Sequence, residues 1–285
     1  MSDPVSIQKV LSDATARLQE ISESARLDAE LLLARAIDMP RSYLFAHPEE
    51  TLDDATLDRF ELTLARRLAG EPMAYITGLK EFWSMELLVT PATLVPRPET
   101  ELLVDIALRE IPRKAEWQIL DLGTGSGAVA VALAQERPLC WLTAVDISED
   151  ALRVAQANAN YVSVSNVEFL HGSWTEPVAG RQFRVIVSNP PYVAAGDPAL
   201  DALHAEPLLA LTAGAQGMDA IEILARTCPL VIEDGGLLVL EHGADQRDAV
   251  AEVLLSYGWQ GIQCYDDYSG LPRVSSAHYF NSEKT

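Results

Sequence analysis

The chain has 285 residues, 48% hydrophobic and 22% charged, a composition of ordinary globular proteins and a length that buries a core without disulfides or metals, about two domains by size. Lys+Arg 21 against Asp+Glu 42 leave a net charge of −21, which repels a phosphate backbone, argues against direct nucleic-acid binding, and favours a basic macromolecular partner or a small substrate. The scattered Cys140, Cys228 and Cys264 offer neither a disulfide framework nor a zinc site, no apolar run reaches the roughly 18 residues of a membrane span, and the start MSDPVSIQKV lacks a secretory pattern, so a cytoplasmic, metal-free protein without membrane contact is expected.

Residues 1–75 are predicted as a small helical bundle. Ile7, Val10, Leu11, Ala14, Leu18 and Ile21 repeat at helical spacing along one face. Residues 27–37 are apolar enough for a helix covered on more than one side. Thr51 with Asp54 reads as a capping box opening a third helix, whose stripe Leu57, Phe60, Leu64 and Leu68 closes at Gly70 and Pro72. Arg66 and Arg67 are expected on a solvated face. No titratable cluster here has an evident chemical job, which leaves partner docking as the functional expectation for this domain.

Residues 76–97 are expected to form a β-hairpin linker: 81–90 is rich in aromatic and β-favouring residues, and Pro91, Pro96 and Pro98 punctuate the stretch after it. A helix is expected to begin near Pro98, with Glu99 and Glu101 in its first turn. Within residues 98–285, short apolar runs at 119–122, 142–145, 167–170, 185–187 and 237–240 have the continuous character of strands buried on both faces. Helical patterns at 128–136, 149–158, 219–227 and 244–257 separate several of them, and 262–265 and 274–280 read as two further strands. This alternation predicts an α/β fold, a doubly wound, mostly parallel seven-stranded sheet.

Ligands of such sheets sit beyond the carboxyl ends of the strands. After the first run comes Asp121-Leu122-Gly123-Thr124-Gly125-Ser126-Gly127, a glycine-rich turn into a helix. After the second comes Asp146, a carboxylate placed to accept both hydroxyls of a ribose. Gly123-x-Gly125-x-x-Ala128 also fits the relaxed dinucleotide fingerprint, so the loop by itself specifies only a nucleoside-containing cofactor. Asp121 offers a partner for the ammonium of an amino-acid moiety, which a nicotinamide dinucleotide lacks.

The fourth run continues as Val187-Ser188-Asn189-Pro190-Pro191-Tyr192. Two prolines end the strand and stiffen the backbone about Asn189. The chemistry that needs this arrangement is methylation of a planar –NH2 group, whose lone pair is delocalised. The Asn189 side-chain carbonyl and the Pro190 backbone carbonyl each accept one N–H bond and stabilise the developing positive charge, while Tyr192 packs on the flat group. The nitrogen sheds its proton after attack, so no strong base is required. His171, His204 and His242 are expected to be structural or solvated.

From about Phe82 to Phe280 the chain resembles the class I S-adenosylmethionine-dependent methyltransferases. More narrowly it resembles the release factor glutamine methyltransferases (the PrmC/HemK family), through Phe82-Trp83, the segment from Thr93 to Glu101, Asp121 to Gly127, Val187 to Tyr192 and Glu241-His242-Gly243. The helical domain joined by a hairpin extends the likeness to nearly the whole chain. The resemblance implies methylation of the glutamine side-chain amide in the Gly-Gly-Gln motif of peptide chain release factors, by a cytoplasmic monomer with S-adenosyl-L-methionine as cofactor. It implies that Asp121, Gly123, Thr124, Gly125, Ser126, Gly127 and Asp146 bind the cofactor and that Trp174 flanks its adenine. Asn189 touches cofactor and substrate, and Asn189, Pro190, Pro191 and Tyr192 hold the glutamine amide. Two features depart from the family pattern. Ser173 stands where many relatives have an acid, and the segment 201–207 lacks the arginine that tends to precede Glu206-Pro207.

Three other readings compete. An N6-adenine methyltransferase needs the same Asn-Pro-Pro-Tyr geometry, but also a basic groove that a charge of −21 disfavours. A nicotinamide-dependent oxidoreductase leaves Asn-Pro-Pro-Tyr without a job. A degenerate fold kept as a binding module would have no reason to preserve loop, acid and Asn-Pro-Pro-Tyr together.

Overall fold

The computed structural model describes residues 5–281 and divides after Gly78 into two compact units. The first holds a two-residue strand pair, β1 (Val5–Ser6) with β2 (Thr51–Leu52), and helices α1 (Ile7–Leu18), α2 (Ala25–Ile37), α3 (Arg41–Ala46), α4 (Asp54–Leu68) and α5 (Met73–Thr77). The α1 stripe from Ile7 to Leu18 packs on α2 and on Phe60 and Leu64 of α4. Ile21 falls outside the stripe: α1 has ended, and Ile21 is 42% exposed.

The capping box expected at Thr51 is also displaced. Thr51 is occupied in pairing with Ser6, and Asp53 caps α4 instead, its Oδ1 accepting from Thr56 N at 2.7 Å. Of the two arginines expected on a solvated face, Arg66 is exposed and Arg67 is not. Arg67 pairs with the buried Asp28 at 2.9 Å, and Arg66 grips Glu71 through two guanidinium nitrogens. Glu30, the other buried acid of α2, is answered by Arg26 and Arg41, each at 2.6 Å. Pairing spares each buried carboxylate the large cost of an uncompensated buried charge.

The second unit opens with a hairpin, β3 (Leu79–Phe82) and β4 (Met85–Leu88). Its turn residues, Trp83 and Ser84, both have left-handed backbones, φ +51° and +57°. That is a two-residue turn usually given to Asn-Gly. Here it is held from outside: Trp83 donates its backbone N–H to Glu101 at 2.8 Å and its indole N–H to Glu136 at 3.1 Å.

Then come α6 (Thr100–Glu110), β5 (Gln118–Leu122), α7 (Ala128–Glu136), β6 (Trp141–Asp146), α8 (Glu149–Val162), β7 (Val167–His171), β8 (Phe183–Ser188), α9 (Ala199–Ala202), α10 (Asp219–Thr227), β9 (Ile232–Glu241), α11 (Arg247–Ser256), β10 (Trp259–Asp266) and β11 (Pro272–Tyr279). The seven strands β5 to β11 form one sheet in the order β10-β11-β9-β8-β5-β6-β7. Strands β5 to β9 run parallel, and β11 is antiparallel to both its neighbours. Alternate residues feed two cores. Ile119, Val185 and Val187 pack under α6 and α7, while Leu120, Leu122 and Ile186 pack under α10 and α11.

The order reverses at β5, which has β6 on one side and β8 on the other. A crevice opens at such a switch point. Register fixes what meets there. Leu122 pairs with Ser188, and Ser188 with Leu240, so Gly123, Asn189 and Glu241 end three adjacent strands side by side.

Candidate active site

A cavity of about 430 Å3 lies at the C-terminal edge of the sheet. It falls within the size range of small-molecule sites. The β5–α7 loop forms its floor. Gly123 and Thr124 both donate their N–H to Val145 O, at 2.9 and 3.0 Å, which ties the loop to β6. All three loop glycines have positive φ. At Gly127 this is a packing requirement: a Cβ there would stand 2.9 Å from the Ala155 side chain, so glycine lets α7 start tight against α8. Gly125 is different, with nothing within 4 Å of where its Cβ would be. Its close approach serves the cavity.

Two carboxylates flank this loop. Asp121 is 1% exposed and accepts from the Thr124 hydroxyl at 2.6 Å. Burial, reinforced by the Asp146 charge and opposed by the Thr124 hydrogen bond, pushes its carboxyl up to about 7. Asp146 accepts from Gly125 N and Ser148 N, both at 2.8 Å. Burial raises it as well, against those backbone donors. Each of its oxygens takes one backbone N–H and keeps a further lone pair for a ligand hydroxyl.

Trp174 follows β7 in a left-handed conformation, φ +47°, rare for a bulky residue. Its ring comes within 3.7 Å of the Cβ position of Gly123, so the indole forms a flat wall beside the glycine loop. His171, His204 and His242 do not line the cavity. His171 and His204 are exposed, and His242 is buried between Gly243 O at 2.8 Å and Ser275 Oγ at 2.9 Å.

At the end of β8, the Ser188 hydroxyl donates to Leu122 O at 2.6 Å, clamping the two strand ends together. Asn189 then points its side chain to Thr100, with 3.1 Å between Nδ2 and Oγ1. Asn189 and Pro191 border the cavity together with Asp121, Gly123, Thr124, Gly125, Ser126, Asp146 and Trp174. Gly127 and Tyr192 do not border it, and Pro190 sits between the wall residues Asn189 and Pro191. Pro190 is buried, and the Tyr192 phenol donates inward to Glu241 Oε1 at 3.2 Å. Burial and the Glu241 charge push the phenol above its ordinary value. Burial likewise raises Glu241, 0% exposed, to about 7.

Other residues shape the site without standing out in the sequence. Thr100 is both a wall residue and the partner of Asn189. Asn158 ties the hairpin to the glycine loop, accepting from Leu88 N at 2.6 Å and donating to Leu88 O and Ser126 O at 2.9 and 2.8 Å. Glu206 is paired with Arg97 and accepts from Val95 N at 3.0 Å. The loop after Asn-Pro-Pro-Tyr is thus fastened to the Pro96-Arg97-Pro98 segment, more than a hundred residues upstream. The signals for these were the segment from Thr93 to Glu101, an Asn on an otherwise apolar helix face and a Glu-Pro pair.

Residues 9–78 match the family described as the PrmC N-terminal domain, and residues 99–211 the methyltransferase small domain. A Vibrio cholerae protein named release factor glutamine methyltransferase is 44% identical over 279 residues, 96% of this chain and 97% of that protein. An Escherichia coli protein of the same name is 42% identical over 276 residues, 96% of this chain and 99% of that one. Among solved structures, a methyltransferase from Pyrococcus furiosus superposes with a TM-score of 0.54 at 20% identity, over 76% of this chain and 98% of that one, a likeness of fold.

Proposed function

The chain belongs to the release factor glutamine methyltransferase family, and on that premise we propose that it methylates the glutamine of the release factor Gly-Gly-Gln motif at N5, with S-adenosylmethionine as donor and S-adenosylhomocysteine and N5-methylglutamine as products. The observation that carries the reading is the side-by-side exit of Gly123 and Asn189 from β5 and β8, which sets a cofactor loop and an amide-orienting loop on one cavity.

The residues present fit this cofactor. Asp121, buried beside the loop, suits an ammonium. Asp146 retains acceptor capacity for a ribose, the open space at Gly125 admits close approach, and Trp174 offers a flat face to a base. When bound, the cofactor supplies an electrophilic sulfonium methyl. Asn189 Oδ1 and Pro190 O each accept one N–H of the substrate amide and turn its nitrogen lone pair toward that methyl. They would stabilise the positive charge that develops on that nitrogen as it takes the methyl, whose former bonding pair the cofactor's sulfur would keep. The nitrogen then loses one proton to solvent. Glu241 is sealed from the cavity, so it does not serve as the base. Pro191 lines the approach, and Tyr192, anchored on Glu241, stiffens the loop. The helical unit is assigned to docking the release factor, whose basic surface suits a chain of net charge −21.

Incubation with methyl-labelled cofactor and either release factor or nucleic acid tests the reading. Label in the release factor, lost when its Gly-Gly-Gln glutamine is replaced, is the expected result. Label in nucleic acid alone overturns it in favour of adenine methylation.

A further inference from the structure

Asn189 faces a choice that its own hydrogen bond does not settle. A carboxamide has a donating end and an accepting end, and a hydroxyl can play either part. Turned by 180°, Asn189 would meet Thr100 equally well and present its NH2 group to the cavity. There it would oppose the NH2 of a glutamine amide, donor against donor, and the orienting acceptor would be lost. Whatever breaks this tie lies beyond Thr100.

Glu241 lies there. It ends β9 beside Asn189, and the Thr100 hydroxyl of α6 lies near enough to its carboxyl to oppose the upward push of burial. Its Oε1 is taken by the Tyr192 phenol at 3.2 Å, while Oε2 is buried and has no hydrogen-bond partner among the described residues. The Thr100 oxygen already accepts from Asn189 and has one hydrogen left to give. A carboxylate is an acceptor at every lone pair. Burial, helped by the Glu99 charge, raises this carboxyl, and the Thr100 and Tyr192 hydroxyls and Arg273 of β11 act the other way, toward the ionised form that accepts.

We propose that Glu241 is a positioning residue: its orphan Oε2 takes the Thr100 proton, which leaves Thr100 only an accepting role toward Asn189 and locks Asn189 with Oδ1 facing the substrate amide. Polarity is thereby imposed on the site from a fully buried group that never touches substrate. The inference rests on the release factor glutamine reading, because a substrate NH2 is what requires an acceptor there.

Glu241→Gln is the direct test. The Tyr192 phenol donates to the Oε1 position, so the new carboxamide turns its NH2 to Thr100, frees the Thr100 proton for Asn189, and permits the flip. Expected is a fall in kcat on release factor of at least about tenfold, as for one mismatched buried hydrogen bond, with cofactor affinity unchanged. A release factor carrying Gly-Gly-Glu, whose carboxylate wants donors, becomes a stronger competitor relative to the Gln protein. Thr100→Val reproduces the loss, Thr100→Ser recovers activity relative to Val, and Glu241→Gln adds nothing to Thr100→Val, as expected of residues acting through one another.

Wild-type kcat in Glu241→Gln overturns the proposal. So does a loss of kcat that leaves the Gln-to-Glu preference untouched, which marks a purely structural role. If Glu241→Gln does not fold, the Thr100 Val and Ser pair decides alone: equal activities, or an unmoved preference, refute it. Wild-type protein that fails to label release factor refutes instead the underlying reading, so the two failures are separate.

Discussion

The two halves of the cavity are built differently. The side proposed for the cofactor is made mostly of backbone: a run of loop amides tied to Val145, glycines with positive φ, and two acids that flank their own loop. The side proposed to orient the amide is made of side chains fastened from far away in sequence. Asn189 meets Thr100 across 89 positions, Tyr192 meets Glu241 across 49, and Glu206 meets Arg97 across 109. A backbone cradle is formed as soon as its strand and helix form. A side-chain network exists only after the whole sheet is assembled, and it can specify donor and acceptor polarity, which a backbone loop cannot vary.

That contrast makes mutations on the two sides separable. Asn189→Ala is expected to leave cofactor affinity near wild type and to lower kcat by a factor equivalent to about 2.7–4 kcal/mol, the scale of one preorganised group at a developing charge. Single-turnover kinetics with saturating cofactor measure this, and an unchanged rate would break the division. Asp146→Ala is expected to do the reverse: weaker cofactor binding by about 1.5–3 kcal/mol, the range for a hydrogen bond to a charged group, with a saturated rate close to wild type. Calorimetric titration showing undiminished affinity would remove the assignment of Asp146 to the cofactor side.

Smaller effects sharpen the backbone half. Gly127→Ala forces a Cβ against Ala155 at φ +80°, whereas Gly125→Ala, at φ +55°, meets nothing within 4 Å. The first is expected to lower stability by about 1–3 kcal/mol, and the second by less. Equal losses of unfolding temperature would show that packing against α8 is not what Gly127 provides.

Proton linkage gives the smallest signal. Asp121 is raised from 3.8 to about 7 by burial, so the fold favours its neutral form. That contribution to stability is complete below the unfolded value and is lost as pH rises through about 7. An ammonium bound beside it favours the carboxylate, so cofactor binding just below neutral pH releases up to one proton. Heats measured in buffers of different ionisation enthalpy should reveal this release and its disappearance at alkaline pH. Buffer-independent heats would separate Asp121 from the ammonium.

The same contrast explains what could be read from the amino-acid sequence. Strand runs, the helix bounds 128–136 and 219–227, and the motifs at 121–127 and 187–192 depend on neighbours in the chain, and they stand where periodicity and turn chemistry place them. Thr100, Asn158 and the Arg97–Glu206 pair were not legible, because an isolated Thr, Asn or Glu gains its meaning from partners that only the sheet order brings close. The Trp83-Ser84 turn carries no glycine signal, since Glu101 and Glu136 hold it from outside. Thr51 reads as the cap of α4, but a two-residue strand pair occupies it and the cap passes to Asp53.

The account turns on where the substrate amide sits. A crystal structure with S-adenosylhomocysteine and a Gly-Gly-Gln peptide measures it directly. The glutamine nitrogen is expected within about 2.7–3.2 Å of both Asn189 Oδ1 and Pro190 O, with its lone pair toward the sulfur. A glutamine held by other groups, with the Asn189 NH2 turned into the cavity, would contradict it.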